Sequence, residues 1–184
     1  MIVLDTNVIS ELMRREPDPR VMAWIAEQPM AGVFTTTLTQ AEIFYGLALL
    51  PEGRRRNDLL AAARPMFDVD LAGRVLPFDT EAALAYPEIA AGRKQGGKPI
   101  SQIDAQIAAI VRSRGARLAT RNVRDFADCG ITVVHPWGEA RRPPQHAPIC
   151  ATPRQRLCTR RGRNAACRDG PSSQAPPPHA SSLG

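Results

Sequence analysis

The sequence lacks any uninterrupted apolar segment of the length needed to cross a membrane. Its first residues are a short apolar run that predicts a strand, and they do not have the charged and apolar regions of a signal peptide. We therefore expect a cytoplasmic protein without a membrane-bound part. Hydrophobic residues make up 43% of the 184 residues, which is enough for a buried core.

Cysteine is scarce, and its spacing is uninformative. Cys129 is alone in the first 138 residues, and Cys150, Cys158 and Cys167 follow in the last part of the chain. Their spacing fits no zinc motif, and cysteines in a cytosolic protein are rarely oxidised to disulfides. We therefore expect neither a zinc site nor a disulfide framework.

Acidic residues are almost missing from the C-terminal segment. Residues 139–184 contain 8 arginines and 2 acids, whereas residues 1–138 contain 16 basic and 16 acidic residues. The net charge of +6 therefore belongs to the tail and does not indicate a nucleic-acid-binding body. The tail also has 8 of the 17 prolines and almost no apolar periodicity, so it cannot bury enough surface to offset the entropy of ordering. The sequence predicts one domain at residues 1–137 and a disordered basic tail at 138–184.

Short apolar, β-branched runs alternate with helical patterns along the first 137 residues. Strands are expected near residues 2–4, 32–37, 75–79, 117–120 and 131–134, with helices between the first four strands and a loop at 121–126 before the last. Pro87 is expected to kink or interrupt the helix at 80–94. This alternation predicts an α/β fold with a parallel sheet of four to five strands and helices on both faces.

The first strand runs directly into a carboxylate. Asp5 follows Met1 to Leu4 at the point where the strand should end, and ligands of open parallel sheets bind beyond the carboxyl ends of the strands. An unpaired buried charge is costly. Because Thr6 or Asn7 could cap the next helix without Asp5, the sequence suggests that Asp5 has a functional role.

Two further acids occupy similar positions. Glu42 ends the capping sequence Thr39-Gln40-Ala41-Glu42, and Asp104 lies three residues after the expected N-cap Ser101. Acids in a first helical turn are common without any catalysis, because they favour the helix dipole. Brought together with Asp5, however, they would repel one another unless a cation lay among them. Clustered carboxylates suit Mg²⁺ or Mn²⁺, which can promote phosphodiester hydrolysis.

Four motifs follow one another along the chain: Leu4-Asp5-Thr6-Asn7, Thr39-x-Ala-Glu42, Ser101-x-x-Asp104 and Ala119-Thr120-Arg121-Asn122. In this order they resemble the motifs of the PIN-domain ribonucleases, and most closely those of the VapC/FitB-type toxins of bacterial type II toxin–antitoxin pairs. The resemblance covers about residues 1–137 and extends to Leu76-Pro77-Phe78-Asp79 and His135-Pro136-Trp137.

The resemblance implies a three-layer PIN-like fold and an endoribonuclease that depends on Mg²⁺ or Mn²⁺. It also implies an RNA substrate, a cognate antitoxin protein as partner, and a homodimer. Asp5, Glu42 and Asp104 correspond to three catalytic, metal-binding acids of the family. The fourth acidic position falls on Asn122, which cannot act as a base, and Asp125 could compensate. Residues that orient the acids or contact the substrate are expected to be Thr6, Asn7, Thr120 and Arg121.

Two alternatives remain open at this point. One is a PIN-fold module that binds RNA or an antitoxin partner with weak or no cleavage, because Asn122 replaces an acid. The other is a haloacid-dehalogenase-like phosphohydrolase with Asp5 as covalent nucleophile. Such enzymes usually have a second aspartate two residues later, where this chain has Asn7.

Truncation of the chain after Trp137 tests the domain boundary. If the tail is disordered, the truncated chain should melt within about 2 °C of the full chain, since no buried apolar surface is lost. Thermal unfolding followed by circular dichroism measures this difference. A large fall in melting temperature would show that the tail is part of the fold.

Overall fold

Five short parallel strands form one sheet in the computed structural model, which describes residues 1–138. The spatial order is β3-β2-β1-β4-β5, and every neighbouring pair is parallel. The predicted parallel sheet is therefore confirmed. The strands are β1 (Ile2–Leu4), β2 (Val33–Thr36), β3 (Val75–Leu76), β4 (Arg117–Ala119) and β5 (Thr132–Val134).

Helices lie in the connections between β1, β2, β3 and β4, whereas residues 120–131, which contain no helix, connect β4 to β5. Single turns of other helix types also occur at Met30–Gly32 and Met66–Asp70. In the described residues, no helix is long and apolar enough to span a bilayer. The α-helices are α1 (Thr6–Leu12), α2 (Pro19–Ala26), α3 (Thr37–Ala48), α4 (Arg54–Pro65), α5 (Thr80–Gln95) and α6 (Gln102–Ser113).

Alternation along β1 separates two hydrophobic cores. Ile2 and Leu4 face one core, which is covered by α1 to α4, whereas Val3 faces the other, which is covered by α5 and α6. All three side chains are at most 3% exposed. Burial of each such side chain contributes roughly 1.5–3 kcal/mol. Helices therefore lie on both faces of the sheet, which confirms the three-layer α/β architecture.

Helix α6 follows the sequence prediction closely. Ser101 is its N-cap and accepts a hydrogen bond from the Asp104 amide, and Gly115 follows its C-terminus with φ of 57°. Ile107, Ile110 and Val111 are fully buried, but Ile103 is 39% exposed. The first turn of the helix therefore projects beyond the core, and the predicted apolar face begins only at its second turn.

The structure corrects two predictions about helices. Helix α5 is continuous through Pro87, which lies on the exposed side where water can satisfy the released carbonyl group. Strand β2 ends at Thr36 and α3 starts at Thr37, so the helix begins before the Thr39–Glu42 segment that was expected to cap it. The predicted disordered tail lies outside the described residues.

Two glycine-to-alanine changes compare a left-handed position after one helix with a position inside another helix. Gly115 has a left-handed backbone and Gly46 lies within α3, and an added methyl group meets no atom within 4 Å at either site. Gly115→Ala should lower the free energy of unfolding by about 1–2 kcal/mol, because alanine strains that conformation. Gly46→Ala should raise it by about 0.5–1 kcal/mol, because it restricts the unfolded chain. Urea unfolding compares the two, and effects of the same sign would contradict the assigned conformations.

Candidate active site at the carboxyl ends of the strands

Asp5 is buried immediately after β1 and its carboxylate accepts three hydrogen bonds. The Thr6 amide donates to Oδ1 at 2.8 Å. Asn7 Nδ2 donates to Oδ2 at 2.7 Å, and Thr120 Oγ1 donates to the same oxygen at 2.6 Å. Asp5 is also the N-cap of α1, so the expectation that Thr6 or Asn7 caps this helix is wrong. Capping uses one carboxylate oxygen, and the other oxygen is held by side chains.

Thr120 links the ends of β1 and β4. Its hydroxyl donates to Asp5 and accepts hydrogen bonds from Asn7 Nδ2 and from the Asn122 amide, each at 3.0 Å. A hydroxyl has one donor and two acceptor sites, so Thr120 has no further capacity. Asn7 also accepts a hydrogen bond from the Arg121 amide at 2.9 Å. The structure therefore gives Thr120 a positioning role, and leaves no free hydroxyl site for substrate.

Glu42 lies in the second turn of α3, not in its first. The helix starts at Thr37 with Thr36 as its N-cap, so Glu42 is too far along it to be explained by the helix dipole, whose effect fades after the first turn. Thr6 Oγ1 donates to Glu42 Oε2 at 2.5 Å. This hydrogen bond connects Glu42 to the start of α1, where Asp5 is the N-cap.

Asp104 lies in the first turn of α6, as the sequence predicted. Ser101 Oγ donates to Asp104 Oδ2 at 2.6 Å and accepts from the Asp104 amide at 3.0 Å. Its place in the helix is favourable even without any functional role. The Ser101 hydroxyl nevertheless orients one carboxylate oxygen and leaves the other without a donor from the described residues.

The three carboxylates share one electrostatic field. Burial raises the pKa of Asp5 above its ordinary value, and the negative charges of Asp104 and Glu42 raise it further, against the lowering effect of the hydrogen bonds from Thr120 and Thr6. In residues 1–138, none of the three acids forms an ion pair with a lysine, arginine or histidine. Neutral donors orient these acids without balancing their charge. The site is therefore negative and suited to a cation.

The donor set fits a hard divalent cation that keeps part of its hydration shell. Within residues 1–138, no three His, Cys, Asp or Glu side chains lie close enough together to hold a metal ion directly. Mg²⁺, however, commonly binds through one or two carboxylates and retains several waters. Direct contact with all three acids is therefore not required for a fit.

The remaining predicted residues border this site rather than entering it. Arg121, Asn122 and Asp125 are exposed and line a surface cleft of about 530 Å³. The Asn122 amide reaches Thr120, but Asp125 is not among the charges that shift the pKa of Asp5. Compensation for Asn122 by Asp125 stays a prediction.

The sequence analysis did not predict the contact between Arg121 and Trp137. The guanidinium Cζ lies 5.3 Å from the centroid of the Trp137 ring, and both residues line another cleft, of about 420 Å³. Buried Glu11 accepts from the Asp18 amide there, and Arg20 lowers the pKa of Asp18 to about 2. The contact between Arg121 and Trp137 joins the segments that follow β4 and β5, so no local sequence pattern could have indicated it.

The fold and the site define a class: three-layer α/β proteins that gather acids at the carboxyl ends of parallel strands. Residues 2–130 match the profile of the PIN domain, and the chain belongs to the PIN-domain family. It is similar to the VapC ribonuclease Y4jK of Sinorhizobium fredii, with 43% identity over 76% of this chain and 100% of that protein. It is also similar to the toxin FitB of Neisseria gonorrhoeae, with 38% identity over 74% of this chain and 99% of that protein.

Solved structures agree with this family membership. The structure of FitAB bound to an IR36 DNA fragment matches with a TM-score of 0.71 and 37% identity, over 77% of this chain and all of that one. The DNA-bound VapBC of Salmonella typhimurium matches with a TM-score of 0.62 and 26% identity, over 72% of this chain and 96% of that one. The predicted resemblance to the VapC/FitB group and the PIN-like fold are confirmed.

Neutralising Glu42 should stabilise the protein. The raised pKa means that ionised Asp5 costs stability at pH values above it, and the charge of Glu42 adds to this cost. Glu42→Gln keeps an acceptor for Thr6 and should raise the free energy of unfolding at about pH 7 by about 0.5–1 kcal/mol. The gain should shrink as the pH falls through the raised pKa, because Asp5 then becomes neutral in the folded state.

Urea unfolding at neutral and acidic pH measures this effect. Glu81→Gln is the matched control, because Glu81 is exposed in the first turn of α5 and its charge favours that helix. Equal loss of stability in both variants would contradict the proposed repulsion at Asp5.

Proposed function

We propose that the chain is a metal-dependent endoribonuclease and the toxin component of a toxin–antitoxin pair. The observation that carries this proposal is the group of three acids at one edge of the sheet, oriented by hydroxyl groups and without a basic partner among residues 1–138. Relatives named ribonuclease and toxin support it, with coverage of nearly their whole length.

Asp5, Glu42 and Asp104 are the residues that would hold Mg²⁺ or Mn²⁺. At least one carboxylate oxygen of each acid accepts a hydrogen bond that orients it, and the negative charge of the three acids attracts a cation. When bound, such an ion supplies an activated water and stabilises charge on a phosphoryl oxygen. The positioning hydroxyls of Thr6 and Thr120 keep the acids in place during this chemistry.

Asn122 cannot do what an acid would do at the same position. Its side-chain amide can bind a water molecule or a substrate group but cannot remove a proton. It also adds no negative charge to a site that must approach an RNA phosphate. We therefore assign proton removal to the three acids, and infer that the metal affinity is lower than it would be with a fourth acid.

The partner is proposed to be an antitoxin protein. Solved relatives support this proposal, among them a member of the VapBC family of toxin–antitoxin systems from Mycobacterium tuberculosis, at 27% identity and a TM-score of 0.54. Homodimer formation and the RNA substrate stay predictions of the resemblance.

A PIN-fold module that binds RNA or its partner without cleavage is the second candidate. Asn122 and the lack of three close metal-binding side chains in residues 1–138 favour it. The haloacid-dehalogenase-like alternative has lost its support, because the chain belongs to the PIN family and both oxygens of Asp5 already accept hydrogen bonds.

A cleavage assay distinguishes these two candidates. Purified chain is incubated with structured and single-stranded RNAs in Mg²⁺, Mn²⁺ or EDTA. Asp5→Asn and Asp104→Asn should each slow cleavage by about a hundredfold, which is typical for loss of one preorganised electrostatic group. EDTA should abolish cleavage.

The control is Asp68→Asn, which makes the same chemical change at an exposed acid outside the site. It should cleave like the wild type. Equal cleavage by all variants, or no effect of EDTA, would contradict the metal-dependent mechanism. Cleavage by none of them, with RNA still bound, would support the non-cleaving module.

A further inference from the structure

A cleft adjoins the carboxylate site on the side of β4. It has a volume of about 530 Å³. The backbone amide of Asn122, which is a lining residue, donates to Thr120 Oγ1, and Thr120 Oγ1 donates to Asp5. Two successive hydrogen bonds therefore connect the wall of the cleft to Asp5. The cleft is lined by Arg121, Asn122, Val123, Arg124, Asp125 and His135.

Two arginines of this cleft, Arg121 and Arg124, form no ion pair with an acid of residues 1–138, although Arg121 lies near enough to Asp18 for its charge to contribute to the lowered pKa of that acid. In residues 1–138, no carboxylate oxygen lies within 4.0 Å of a side-chain nitrogen of Arg121 or Arg124. Asp125 is the one acid in the lining, so the cleft has a net positive charge. The paired arginines of the described residues are Arg14, Arg15, Arg20, Arg54, Arg56, Arg112 and Arg114.

Trp137 restricts the orientation of Arg121. The indole is only 6% exposed, so its face is already covered and is not available for a stacking base. The guanidinium lies over this face at 5.3 Å, which leaves the N–H groups around its edge free to donate. An arginine fixed in this way loses less entropy when it binds an anion.

We propose that this cleft is a nucleotide-binding subsite for a single RNA strand that passes the carboxylates. Arg121 and Arg124 bind backbone phosphates, and Trp137 is the positioning residue for Arg121. The side-chain amide of Asn122, which has both donors and an acceptor, would bind the base edges by which single-stranded RNA is read. This inference rests on the proposed ribonuclease function.

Single-stranded RNA fits this cleft better than a protein segment does. An RNA strand offers regularly spaced phosphates to two arginines and a base edge to the amide between them. Phosphate contacts also predict a salt dependence that short-range contacts with a peptide would not give.

RNA binding in EDTA tests the cleft without cleavage. A fluorescein-labelled single-stranded RNA of mixed sequence is titrated with full-length protein, and anisotropy gives the dissociation constant at several salt concentrations. Arg121→Gln and Arg124→Gln should each weaken binding about tenfold. Each should also reduce the slope of log affinity against log salt by about 0.7, the value for one phosphate contact on a single strand.

Arg117→Gln is the matched control. Arg117 is exposed at the opposite end of β4 and also has no carboxylate partner among residues 1–138. Its substitution by glutamine therefore removes the same charge at a place away from the cleft. It should leave affinity within about twofold, because a distant exposed charge is screened by salt. Equal effects of Arg121→Gln and Arg117→Gln, or no RNA binding by the wild type in EDTA, would overturn the subsite.

A double-mutant cycle tests the role of Trp137. Trp137→Phe should weaken RNA binding in the wild-type background but not in the Arg121→Gln background, because its effect acts through Arg121. Equal weakening in both backgrounds would show that Trp137 has only a structural role.

Cleavage of the same RNA in Mg²⁺, measured in parallel, separates the two proposals. Wild-type cleavage with equal binding by Arg121→Gln and Arg117→Gln would overturn the subsite alone. Binding that depends on the two arginines without any cleavage would support the subsite and contradict the nuclease. An antitoxin that binds the wild type but not Arg121→Gln, with RNA binding unchanged, would show that the cleft holds protein instead.

Discussion

The hydrogen bond between Thr120 and Asp5 is the contact on which the rest of the site depends. Pairing of Leu4 with Ala119 in the sheet brings the ends of β1 and β4 side by side, and the Asp5 amide donates to the Ala119 carbonyl at 3.0 Å. The next residue on each strand is then a carboxylate and a hydroxyl. Because the register of two central strands sets this contact, the core of the domain directly determines the geometry of the site.

The same arrangement recurs at all three acids. Thr120 donates to Asp5, Thr6 to Glu42 and Ser101 to Asp104. A hydroxyl orients a carboxylate without cancelling its charge, whereas an arginine would both orient and neutralise it. Burial, and then the charges of Asp104 and Glu42, raise the pKa of Asp5, so ionised Asp5 costs stability although Thr120 and Thr6 donate to it. Such a cost is typical of functional sites, which often reduce the stability of a fold.

Much of the architecture could be predicted from the sequence, because local patterns determine it. Ser101 and Gly115 delimit α6 by their own conformational preferences, and the uninterrupted apolar run of β1 predicts a buried strand, which the structure places between two cores. The cap of α1 and the turn that holds Glu42 were predicted wrongly, because several hydroxyl and carboxylate residues in a row can each cap a helix. The stacking of Arg121 on Trp137 depends on the final packing of two distant segments, and no local pattern encodes it.

We propose that three acids without basic partners in the described residues hold a divalent cation. Electron paramagnetic resonance of free Mn²⁺, titrated with the full chain, tests this site and needs neither RNA nor turnover. Wild-type protein should remove the free Mn²⁺ signal, and Mg²⁺ should restore it. Thr120→Val, which removes a side-chain donor to Asp5, should bind the ion more weakly by about 10- to 100-fold. Equal Mn²⁺ binding by wild type and an Asp5→Asn variant would contradict the proposed site.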